Sequence, residues 1–95
     1  MKEIHEEAAE QMHERIGNVV TQLQAYRAQH LEDTRLERML TQLELIDLLI
    51  AERGHLEYRQ KQALDFHLIE GSVLEGNEFL ERELYSIRNF VENAL

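Results

Sequence analysis

Ninety-five residues with no proline, no cysteine and four glycines are enough for one thin hydrophobic core, and they exclude a disulfide framework, a thiolate metal site and a cysteine nucleophile. The 43% apolar and 31% charged content suits a helical domain rather than a sandwich or a disordered tail. Nineteen acids against ten bases give a net charge of −9, which disfavours nucleic acid and anionic membrane surfaces as partners.

The amino-terminal MKEIHEEAAE is acidic and lacks the apolar stretch of a signal peptide, so cytoplasmic residence is the expectation. Met12, Ile16, Val19, Leu23, Tyr26 and His30 then follow at alternating steps of four and three, the seam spacing of packed helices. His5 and Ala8 fall on the same stripe, and the pattern predicts a first helix from about Lys2 to Gln29. Gly17 interrupts it, which marks an expected close approach of a neighbouring helix.

His30 to Asp33 forms the connector, and Thr34-x-x-Glu37 offers a capping box for a second helix beginning near Arg35. Its seam is Leu36, Met39, Leu43, Ile46 and Ile50, while Leu45, Leu48 and Leu49 lie on other faces. A helix apolar all round is expected to be buried on more than one side, either at the centre of the bundle or by dimerisation. Gly54 either kinks or breaks it, and the helix-favouring HLEYRQKQALDFHLIE beyond tips the expectation toward one bent helix from Arg35 to about Glu70. Leu56, Ala63, Leu64, His67 and Leu68 make a looser stripe there, with Tyr58, Phe66 and Ile69 off it as spare apolar surface.

Gly71-Ser72 and Gly76-Asn77 punctuate the next turn, with Ser72 and Glu75 or Asn77 as caps. Leu80, Leu84, Ile87, Val91 and Ala94 repeat the seam, and Phe79 and Phe90 widen it. The expected fold is all-α: a single domain over residues 1–95, an antiparallel bundle of three long helices completed by homodimerisation.

Asp47 is the oddity. At about 100° per residue it falls between Leu36 and Leu40 on the core stripe, where an unpaired carboxylate costs several kcal/mol. It is expected to pair with an Arg, His or Tyr of another helix or another protomer and to fix how the helix meets its partners. His5, His30 and His67 fall on or beside apolar stripes, whereas His13 and His55 are expected at the surface. A stripe histidine paired with Asp47 would make a pH-sensitive contact.

Glu6-Glu7-x-x-Glu10 on the first helix with Glu44-x-x-Asp47 on the second resembles the metal-binding pattern of the all-helical MazG-type nucleotide pyrophosphohydrolases, Glu-Glu-x-x-Glu followed by Glu-x-x-Asp. The resemblance implies magnesium held by these acids against a triphosphate, an enzymatic alternative. The gap between the acid pairs is longer here than in that family. On the wheel Glu10 lies opposite the Val19 stripe and Glu6 and Glu7 are off it, so these acids diverge from Asp47. A further alternative is iron at Glu10-x-x-His13, the carboxylate-histidine spacing of ferritin-like sites. A Ser-His-Asp spacing, a glycine-rich phosphate loop and a basic aromatic patch are all missing from the sequence.

The leading expectation is a non-enzymatic protein-protein interaction module of the adaptor, chaperone, antitoxin or inhibitor type, without catalytic residue or cofactor. Its partner is a protein, a second copy of the chain included. The expected interface comprises Leu45, Asp47, Leu48, Leu49, Tyr58, Phe66 and Ile69.

Overall fold

The structure, a computed structural model, describes residues 6–66 and 74–95. Expectations at Lys2, His5, His67, Leu68, Ile69 and the Gly71-Ser72 turn lie outside these residues. Among the described residues four helices follow in order: α1 (Glu6–Gln29), α2 (Thr34–Ala51), α3 (Tyr58–Ala63) and α4 (Glu78–Ala94). Among the described residues there is no strand, and no helix is long and apolar enough to cross a membrane.

The seam residues make the core. Ile16, Val19 and Leu23 of α1 meet the Leu36, Leu43, Ile46 and Ile50 row of α2 and the Leu80, Leu84, Ile87 and Val91 row of α4. The α1 helix packs against both partners, and the radius of gyration of 13.1 Å is close to the ~12 Å of a compact chain this long. Arg27 pairs with Glu37 beside the connector and His13 pairs with Asp47 far from it, so α1 and α2 run in opposite directions. Arg15 Nε to Glu83 Oε2, 3.3 Å, ties α1 to α4.

Several local expectations are corrected. The α2 cap is Asp33, one residue before Thr34: Asp33 is extended and accepts from the Arg35 amide at 3.0 Å, while Thr34 is already helical. At α4 the expected Asn77 is the cap and accepts from the Leu80 amide at 3.1 Å. Gly17 is no point of close approach, because a Cβ there would meet nothing within 4 Å. Tyr26, on the predicted seam, is exposed, since the buried row of α1 stops at Leu23.

The bent helix through Gly54 is also overturned. Arg53 takes a left-handed backbone, φ 55°, and its amide bonds to the Ile50 carbonyl while the Gly54 amide bonds to the Leu49 carbonyl at 2.8 Å. This is the Schellman stop, and it closes α2 through two of its last carbonyls. Gly54 stands one position later than a helix-ending glycine usually does, and a Cβ there would sit 3.1 Å from Leu49 Cδ2, close enough that the leucine would have to shift. The chain then extends to Glu57, where the Leu56 amide reaches the Leu95 carbonyl at 3.1 Å, and only a short α3 follows. Beyond α3, the Gln42 side-chain amide clasps the backbone of Asp65, accepting from its amide at 2.7 Å and donating to its carbonyl at 3.1 Å. That clasp holds the segment carrying Leu64 and Phe66 against α2, where both pack on the core.

Candidate interaction site

Asp47 lies on the α1 side of the α2 stripe rather than inside it. Its side chain is 29% exposed, and no polar or charged side chain is buried among the described residues, which corrects the expectation of an acid set in the core. The wheel gives the right direction, but α1 ends its coverage at that edge. The Asp47 Oδ1 accepts a 2.6 Å hydrogen bond from His13 Nδ1; an ionised carboxylate has no proton to give, so the imidazole is the donor. The partner is thus a histidine of another helix, but a surface one rather than the stripe histidines. The bond, followed by the attraction of the negative carboxylate, raises the His13 pKa above 6.5, and the small loss of hydration opposes it.

A hairpin folded about residues 30–33 puts position 13 opposite about position 50, one turn from Asp47, so the hairpin register is the signal that points to His13. His30 is half-buried with Glu32 at 3.8 Å, and His55 is exposed as expected.

Of the candidate metal ligands Glu7, Glu10, His13, Glu44 and Asp47, only His13 and Asp47 come together. Glu6, Glu7, Glu10 and Glu44 are exposed, and no group of three or more acid or histidine side chains able to hold an ion occurs among the described residues. The donor set therefore does not fit the magnesium or iron site that the motif resemblances imply.

No family model, no curated protein and no solved structure matches this chain.

The second apolar face of α2, expected to meet another helix or a second copy, is open in the single chain. Leu45 is 46% exposed and Leu48 54%, and only Leu49, on the side toward Gly54, is half-buried. The reason is placement: α1 lies along the Leu36 to Ile50 row, and nothing among the described residues covers the opposite side. Arg38, Thr41, Leu45, Leu48 and Glu52 form one outward row at steps of three and four, all exposed. The sequence shows this row's residues but not which of the two apolar rows the chain covers.

Tyr58 and Phe66 belong to a different place. They line a groove of about 450 Å³ between α3 and α4, with Leu64 and Val91 below and Lys61 and Arg88 at its rim. Tyr58 is 74% exposed, whereas Phe66 is packed on the core. Both rim cations are turned to Glu92, Lys61 donating to its carbonyl at 3.4 Å and Arg88 Nε to its carboxylate at 3.1 Å. The groove's polar groups are thus largely satisfied from within. The α2 row, by contrast, offers apolar anchors in a polar surround.

Proposed function

We propose that this chain is a non-enzymatic protein-interaction module that receives a helix of a protein partner along the outer face of α2. In this reading α1, α2 and α4 are the three long helices of an antiparallel bundle, and the scaffold serves to present that face in the cytoplasm. The observation that carries it is the pair of half-exposed leucines, Leu45 and Leu48, set one turn apart on the side of α2 away from the core. Paired apolar anchors at helical spacing within a polar rim are what helix-in-groove and coiled-coil recognition uses. The same chain exposes Tyr85 on α4, but there without an apolar neighbour one turn away on the same face.

Photo-reactive side chains placed singly at positions 45, 48 and 85, in cells that naturally make the protein, test the reading. Adducts of discrete mass from 45 and 48, absent from 85, support it. No adduct at 45 or 48, or the same adducts at all three positions, rules out the α2 face as the binding surface.

A further inference from the structure

We infer that the helix received on the outer face of α2 is α2 of a second copy of this chain, lying antiparallel about a two-fold axis between Leu45 and Leu48. This rests on the protein-binding reading above and names its partner. The outward row Arg38, Thr41, Leu45, Leu48, Glu52 has the alternating three-and-four spacing of a coiled-coil seam, the same spacing as the buried row Leu36, Met39, Leu43, Ile46, Ile50 behind it. The helix therefore carries two seams, and the described residues cover only one of them.

The charge order along the open seam selects the partner and its direction. A cation stands at the amino end, an anion at the carboxyl end, and the two leucines between them. Two parallel copies would set Arg38 beside Arg38 and Glu52 beside Glu52. An antiparallel pair interleaves the leucines at the centre and brings each Arg38 within one turn of Glu52 on the other copy, a distance its long side chain spans. Each chain carries a net charge of −9, so random encounters between copies are repulsive. The ordered seam supplies opposite charges at the contact itself and so favours this one arrangement. A two-fold contact uses the same patch on both copies and closes on itself, giving dimers and not chains. One helix on one helix lies below the ~1,200 Å² of standard interfaces, so the dimer is weak.

Sedimentation of the full chain from about 10 μM to about 1 mM, the range of weak affinities, is the test. The mass rises from monomer toward dimer across that range, and added salt shifts the transition. L45E/L48E stays monomeric throughout; both positions are exposed, so its circular dichroism matches the parent. R38E alone and E52R alone each weaken the dimer at least tenfold, and R38E/E52R together restore it. A monomer at every concentration overturns the proposal, as does a dimer indifferent to L45E/L48E. Failure of the double charge reversal to restore association overturns the antiparallel pairing. A strict monomer that still yields discrete adducts from positions 45 and 48 removes self-recognition and leaves the protein-binding reading standing; a monomer without adducts removes both.

Discussion

His13 and Asp47, on neighbouring helices, share a 2.6 Å hydrogen bond between two side chains that would otherwise be solvated. The bond joins α1 and α2 at the end of the hairpin remote from the connector, where no backbone link constrains them.

That bond makes stability depend on pH. The folded-state pKa of His13 is raised above 6.5, so its contribution is fully present below the unfolded value and is lost as pH rises through the folded one. Melting temperatures of the parent and His13→Gln, compared from about pH 5.5 to about pH 8.5, differ most at the acid end and converge toward the alkaline end. The effect is small and reduced by salt, because the imidazole is 69% exposed. Asp47→Asn removes the pH dependence of the difference; if it leaves that dependence unchanged, the pair is not its source.

Gly17 is in the middle of α1, exposed, with open space where a Cβ would stand. Gly17→Ala therefore stabilises by about 0.5–1 kcal/mol, through helix propensity alone. Urea denaturation shows a higher midpoint with unchanged slope, and a lower midpoint would mean that the site is packed.

Asn77 caps the start of α4, its side-chain oxygen accepting from the Leu80 amide at 3.1 Å. Asn77→Ala costs about 1 kcal/mol, and Asn77→Asp costs far less, since either side chain accepts the same bond. Amide exchange in the first turn of α4 quickens in the alanine variant.

Gln42 makes two hydrogen bonds to the backbone of Asp65 in a part-buried position. Gln42→Ala leaves that backbone without its clasp and costs about 1–3 kcal/mol. Exchange at the Asp65 amide rises by far more than exchange at Leu84 in α4, which separates a local release from general loosening. Nothing in the sequence singles out Gln42, because its partner is a backbone group 23 positions away.

The elements with one apolar face were legible in the residues. Leu80, Leu84, Ile87 and Val91 space themselves as a helix seam and are all buried in α4, as the Ile16 to Leu23 row is in α1. The α2 stop was ambiguous because the left-handed position falls on Arg53, and Gly54, one place later, serves to clear Leu49 instead. Periodicity fixes the direction a side chain takes from its helix axis but not where the neighbouring helix ends. Asp47 therefore points in the expected direction and yet sits at an edge, and Leu45 and Leu48, expected in an interface, stand half-exposed in the single chain. The pairing of His13 with Asp47 needs the register of two helices, which no single-helix pattern contains.

The stop at Arg53 and Gly54 also sets a length. With 18 residues at about 1.5 Å each, α2 offers a bed of about 27 Å and no more. A helix running through Gly54 would have carried the row on through His55, Arg59 and Gln62 and lengthened the contact without adding an apolar anchor. The turn makes α2 a ruler: it admits a contact about two heptads long, whose fit is decided by the residues at its two ends as much as by the leucines between them.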